Sequence, residues 1–179
     1  MKIVLIRHLA PLIEPGICYG RLDVAQDPAR EDKAGALVTH PGLAGATHVW
    51  TSPAKRCRAL AVSIAQTLTA TITVDPRLRE LDFGEWEGKP WDAVAPVELD
   101  AWAASPLTFA PPGGESGAAL VLRVREFWAG LARDQRDCVI VSHGGPLKVL
   151  AALLDGRPVD LFAAAPPLGS VRIVTATVE

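Results

Sequence analysis

Residues 2–8, KIVLIRH, and residues 137–143, DCVIVSH, decide the fold. Each is a short apolar run, rich in β-branched residues, that ends on a histidine. A strand with one covered face alternates apolar with polar residues; a run that is apolar throughout is covered on both faces, as in a parallel sheet. Working outward, THVWTS (47–52), ATITV (70–74) and SVRIVTATV (170–178) complete a set of five strand candidates. Between them lie helical patterns at 28–38, 53–68, 115–133 and 145–154. The third sets Leu120, Val124, Phe127, Trp128 and Leu131 at three- and four-residue spacing, a single apolar stripe. Glycine and proline punctuate the joins at 41–42, 111–114, 156–158 and 166–167. Strands alternating with helices predict a three-layer α/β/α sandwich with a mainly parallel sheet. The last strand has no helix after it and is expected antiparallel at an edge.

Composition narrows the function classes. The 179 residues are expected to form one domain around one core, over 1–179. A net charge of -2 leaves no basic excess for a broad nucleic-acid footprint, so any bound anion must be held by a local cluster. Cys18, Cys57 and Cys138 are odd in number and lack CxxC spacing, as expected of reduced thiols in a cytoplasmic protein. The apolar run before Arg7 is too short for a signal peptide or a membrane span, and no membrane partner is expected. The stretch 80–114 carries Trp86, Trp91 and Trp102 and reads as an excursion with one or two short helices across the mouth of the sheet. The tryptophans read first as packing, with Trp86 and Trp91 placed to shape one side of a site.

Ligands of open parallel sheets bind where strands end at their carboxyl edge, and the unusual residues of this chain gather there. The first strand ends in Arg7-His8. The second runs into PAKRCRALA, with Arg56 in the first turn of the next helix, where a cation opposes the helix dipole unless an anion offsets it. The fourth ends in His143-Gly144-Gly145 at a helix start, where free amides bind anions. Taken singly, a histidine at a strand end, a first-turn arginine and a His-Gly-Gly turn are each ordinary structure. Their coincidence at three junctions describes a pocket for a dianionic phosphoryl group, since arginine donates to such oxygens from two points.

LIRH, TSPAKRCRA, LRELDFGEWEG, PPGGES and VSHGG, in this order from residue 3 to about 146, resemble the histidine phosphatase superfamily, also called phosphoglycerate mutase-like. The resemblance implies a phosphoglycerate mutase-like fold and hydrolysis of a small phosphorylated metabolite through a phosphohistidine. It implies His8 as nucleophile; Arg7, Arg56 and His143 on the phosphoryl oxygens, with the Gly144 amide as a further donor; and Glu80 as proton donor, ahead of Asp82, Glu85 and Glu87. No cofactor is expected, and no metal: arginines neutralise the charge, and His8, His40, His48 and His143 show no HxH or HExxH spacing. Glu115 and Ser116 suit a helix start, a reading preferred here to a rim contact.

The chain departs from the family where RHG would continue with Glu-Thr and, further on, Asn. Here Leu9, Ala10 and Pro11 follow, with Glu14 near the Asn position. Leu9 in place of glycine implies an ordinary backbone angle, Glu14 is expected to turn outward, and Cys18, Tyr19 or the backbone of PGICYG is left to meet substrate. PGICYGRLD (15–23) resembles the alpha-ribazole phosphatases of cobalamin synthesis. Phosphoglycerate mutase-type transfer fits less well, because mutases are longer, and short phosphohistidine phosphatases lack the ELDFGEWEG excursion. A non-catalytic phospho-ligand binder would not need both His8 and Glu80. A homodimer is left open.

Overall fold

The computed structural model describes residues 1–176. Five strands, β1 (Lys2–Arg7), β2 (His48–Thr51), β3 (Thr71–Val74), β4 (Cys138–Ser142) and β5 (Val171–Thr175), form one sheet in the order β3-β2-β4-β1-β5. β1, β2, β3 and β4 run parallel, and β5 pairs antiparallel with β1 at the edge. The helices are α1 (Glu31–Val38), α2 (Lys55–Leu68), α3 (Pro96–Ala104), α4 (Gly117–Asp134) and α5 (Gly144–Leu154). The expected α/β/α sandwich is therefore present. Residues 177–178 of the fifth predicted strand lie outside the described residues.

The alternation of strand side chains sorts the core into two halves. Val4, Ile6, Val49, Val139 and Val141 face one side and pack with Leu37 of α1 and Leu60 and Ile64 of α2. Ile3, Leu5 and Ile140 face the other and pack with α4, through Leu120, Val124, Phe127 and Leu131, and with Leu147 and Leu150 of α5. The apolar stripe of α4 is thus buried, except that Trp128 is only partly covered. Because β1 and β4 are central neighbours in register, Arg7 opposite Ser142, their carboxyl ends bring His8 and His143 side by side.

The excursion holds two single 3-10 turns and one helix, α3. It is stitched to the loop after β1. Ile17 bridges Pro90, the Cys18 amide donates to the Lys89 carbonyl (2.9 Å), and the Trp91 amide donates to the Gly16 carbonyl (2.9 Å). The Glu87 carboxylate accepts from the amides of Arg21 (2.8 Å), Leu22 (2.5 Å) and Phe83 (3.0 Å). Trp86, Cys18 and Val94 form a small core of their own beneath it. Gly20 lies against the Leu81 carbonyl so closely that a Cβ there would overlap it, which explains a glycine at a join between two loops.

Candidate active site

At the carboxyl edge of the sheet lies a cavity of about 250 Å³ lined by Arg7, His8, Arg56, Glu80, Gly144 and Gly145 at one end. His8 is 1 % exposed. Its Nδ1 lies 2.6 Å from the Leu9 carbonyl, and an acceptor there requires that Nδ1 carry the proton. Nε2 is then left with its lone pair, on a ring that lines the cavity. Burial, and after it the charges of Arg56 and Arg7, push the pKa of His8 down to about 3, against the partial opposition of the Leu9 hydrogen bond. The opening RH pair is thus an arginine beside an uncharged imidazole.

Arg56 sits in the first turn of α2 and is fully buried. Its Nη1 donates to the Leu22 carbonyl (2.8 Å) and its Nη2 to the Gly20 carbonyl (2.7 Å), so two carbonyls of the first loop share the task of offsetting a cation at a helix start. Nη2 also lies 3.2 Å from Nδ1 of His143. Since arginine only donates, that nitrogen accepts, and Nε2 of His143, 2.7 Å from Ser52 Oγ, carries the proton. Both ring nitrogens of His143 are therefore engaged within the protein. His143 thus backs Arg56, with its ring 5.1 Å from that of His8. Burial, then Arg56 and His8, hold His143 well below its ordinary pKa. Arg7 donates through Nη1 to the Pro166 carbonyl (2.7 Å), while its Nε and that of Arg56 are buried without partners.

Glu80 is half-buried and reaches the same cavity. Its carboxyl accepts from the Gly145 amide (3.1 and 3.2 Å) and the Leu81 amide (3.0 Å). It thereby satisfies an orphan donor of α5, whose N-terminus has no side-chain cap of its own. The neighbouring carboxylates are occupied or outside: Asp82 pairs with Arg21 (3.1 Å), Glu87 gathers loop amides, and Glu85 is exposed. Arg123 of α4 fixes the Glu80 backbone. It donates to the carbonyls of Arg77 (2.6 Å), Arg79 (2.7 Å) and Glu80 (3.0 Å), and it pairs with Glu115 through Nε (2.7 Å) and Nη2 (2.9 Å). Glu115 is thus tied into this network, and Ser116 caps α4 through the Ala119 amide (3.3 Å).

Leu9 is buried and has no positive φ, and Glu14 is exposed. Of the residues left to meet substrate, Tyr19 lines the cavity, with the Arg56 guanidinium 5.3 Å from its ring centroid, whereas Cys18 is sealed in the small core. The tryptophans divide: Trp86 packs, while Trp91 and Trp102 line the cavity. Gly145 belongs to the His-Gly-Gly junction read from the sequence, whereas Ser52, Arg123 and Lys148 were not singled out. These three carry no local signal, since their partners lie elsewhere in the chain. Among the described residues no group of three His, Cys, Asp or Glu side chains is arranged to hold a metal ion, and no helix is long and apolar enough to cross a membrane.

A parallel sheet that ends in an uncharged, tautomer-fixed imidazole, one buried and one half-buried arginine and a carboxyl on one cavity defines the class as enzymes that handle phosphoryl groups. Residues 3–178 match the histidine phosphatase superfamily (branch 1), and the chain belongs to that family: it is a phosphatase. It is 31% identical over 160 residues to putative phosphoserine phosphatase 2 of Hydrogenobacter thermophilus, covering 87% of this chain and 79% of that one. It is 29% identical over 183 residues to glucosyl-3-phosphoglycerate phosphatase of Mycobacterium tuberculosis, covering 94% and 82%. The native structure of a mycobacterial glucosyl-3-phosphoglycerate phosphatase superposes with a TM-score of 0.84 at 28% identity, over 96% of this chain and 88% of that one. Alpha-ribazole phosphatase from Shigella flexneri gives 0.85 at 26% identity, over 97% and 89%.

Proposed function

We propose that the chain hydrolyses small phosphomonoesters without a metal, through a phosphohistidine on His8. The supporting observation is the free, uncharged Nε2 of His8 in one cavity with Arg7, Arg56 and Glu80. The Nε2 lone pair attacks phosphorus, the P–O ester bond breaks, and the departing oxygen takes the proton of the Glu80 carboxyl. The resulting carboxylate then removes a proton from water, whose oxygen attacks phosphorus. The N–P bond breaks, phosphate leaves and His8 returns neutral. Arg7, Arg56 and the Gly144 amide stabilise the charge spread over the other phosphoryl oxygens. His143 acts from behind: its contacts to Arg56 and Ser52 hold both the guanidinium and the neighbouring ring in place.

A rapid quench into alkali, which preserves phosphoramidates, tests this reading. Wild-type chain should carry phosphate from a labelled ester and His8→Ala should carry none and turn over nothing. Wild-type turnover by His8→Ala overturns the nucleophile assignment. EDTA should leave the wild-type rate unchanged.

A single catalytic domain with residues 80–114 as its cover is part of this proposal, as is a cytoplasmic setting, supported by three free, buried cysteines. Alpha-ribazole phosphate is the first substrate to assay, supported by PGICYGRLD and the structural likeness to the Shigella flexneri enzyme. The curated relatives are named for phosphoserine and glucosyl-3-phosphoglycerate, and both esters belong in the same screen.

A further inference from the structure

Beyond its phosphoryl end the cavity changes character. The far wall is made by Phe83, Trp91, Trp102 and Phe162, with Ile17 and Leu161 between them. Phe83 meets Trp91 edge-on (5.2 Å, 88°) and Trp102 likewise (6.0 Å, 76°), and Trp102 meets Phe162 (6.3 Å, 65°). Trp91 and Trp102 lie nearly parallel, 19° apart. The buried Trp86 stands behind this wall, so the rings are fixed from the back. Phe162 remains 56% exposed at the rim. A large ring left in water beside a cavity, next to further aromatic faces, is placed to cover a ligand rather than to fill the core.

The charges exclude one kind of occupant. Within 80–114 there are seven acidic residues (Glu80, Asp82, Glu85, Glu87, Asp92, Glu98, Asp100) against one lysine, Lys89. Among the described residues, the cations lining the cavity are Arg7, Arg56 and Lys148. The two arginines serve the phosphoryl end. Lys148 donates to the Leu161 carbonyl, and burial lowers its pKa. Of those acids Glu80 lines the cavity, while Asp82, Glu87 and Glu98 are engaged with Arg21, loop amides and Trp86. A carboxylate on the leaving group would therefore share the cavity with the Glu80 carboxyl and find no guanidinium beyond the two at the phosphoryl end.

We propose that the preferred leaving group carries a planar aromatic ring system and no carboxylate, the ring lying among Phe83, Trp91, Trp102 and Phe162. This narrows, and rests on, the phosphomonoesterase reading above.

The test compares esters whose alcohol oxygens leave with similar difficulty: 1-naphthylmethyl phosphate, butyl phosphate, phosphoserine and 3-phosphoglycerate. The naphthyl ester should exceed the butyl ester in kcat/KM by about 10- to 100-fold, the scale of one ring stacked on aromatic side chains. The two carboxylate-bearing esters should fall below butyl phosphate. Phe162→Ala, a surface change, should erase most of the naphthyl-to-butyl ratio, chiefly through KM. A second arm titrates 1-naphthylmethylphosphonate and butylphosphonate into His8→Ala protein, read by tryptophan fluorescence. Turnover of all esters with no naphthyl preference, or phosphoserine or 3-phosphoglycerate ahead of butyl phosphate, overturns the inference and leaves the hydrolase intact. No turnover of any ester overturns the hydrolase instead. In the phosphonate arm, tighter naphthyl than butyl binding supports the aromatic subsite itself and equal binding overturns it.

Discussion

Replacing Arg123 by methionine should damage catalysis selectively from outside the cavity. Its guanidinium holds three consecutive-turn carbonyls, those of Arg77, Arg79 and Glu80, and neutralises Glu115. The paired side chains are only 14% and 10% exposed. Three lost hydrogen bonds at about 1 kcal/mol each, plus a carboxylate left with the more distant Arg21, sum to roughly 3–5 kcal/mol. The Arg79 carbonyl belongs to an exposed residue and can turn to water, which reduces the net loss to about 2–4 kcal/mol. For a domain of this size that corresponds to a fall in Tm of roughly 5–15 °C. The catalytic consequence follows from geometry: once the Glu80 backbone is released, a carboxyl displaced by 1 Å from a leaving oxygen lowers the rate about 100-fold. An alkyl phosphate needs that proton, whereas nitrophenolate leaves without it. Steady-state rates on butyl phosphate and nitrophenyl phosphate, measured at a temperature where circular dichroism shows the variant folded, should therefore diverge. Arg123→Lys, which keeps one donor, should fall between. Equal losses on the two substrates, or no loss on butyl phosphate, would refute the bracing of Glu80 by Arg123.

Three further outcomes follow from the same geometry. Glu80→Gln should slow butyl phosphate far more than nitrophenyl phosphate; a uniform loss points to another proton donor. Gly145→Ala should do the same without removing any functional group, because the added Cβ would overlap Glu80 Oε1, and an alanine enzyme with wild-type rates on butyl phosphate contradicts the placement. The third concerns pH and stability. The unfolded His8 ring takes up a proton as pH falls through 6.5, while the folded ring stays neutral to about 3, so stability present above pH 6.5 is lost progressively between these values. Between pH 7 and 5 that amounts to about 2 kcal/mol, and urea unfolding of His8→Asn should show an acid loss smaller by that amount; identical losses would mean the ring titrates normally in the fold.

The parallel sheet was legible because β1 and β4 are buried on both faces, and continuous apolar runs record that directly. The antiparallel edge was legible from the missing helix after the last strand. Residues at strand ends were legible for a related reason: topology alone carries Arg7, His8, Arg56 and His143 to one edge. What escaped was orientation. Nothing local says that both nitrogens of His143 are taken, by Arg56 from the second junction and by Ser52 from the end of β2. Nor does any spacing tie Arg123 to Glu80, 43 residues earlier, because the tie is made by carbonyls that every residue possesses. The tryptophans show the same limit. Their number announced packing, yet only the folded excursion separates Trp86, which is core, from Trp91 and Trp102, which are wall.

The carboxylate of Glu87 gathers amides from Arg21, Leu22 and Phe83, and the carbonyls of Gly20 and Leu22 are those that hold Arg56. The excursion and the carbonyls that hold Arg56 therefore share one loop and do not form interchangeable modules. A chimera that imports another enzyme's cover must bring residues 15–23 with it, or the transplanted roof will be mounted on a foundation cut to a different plan.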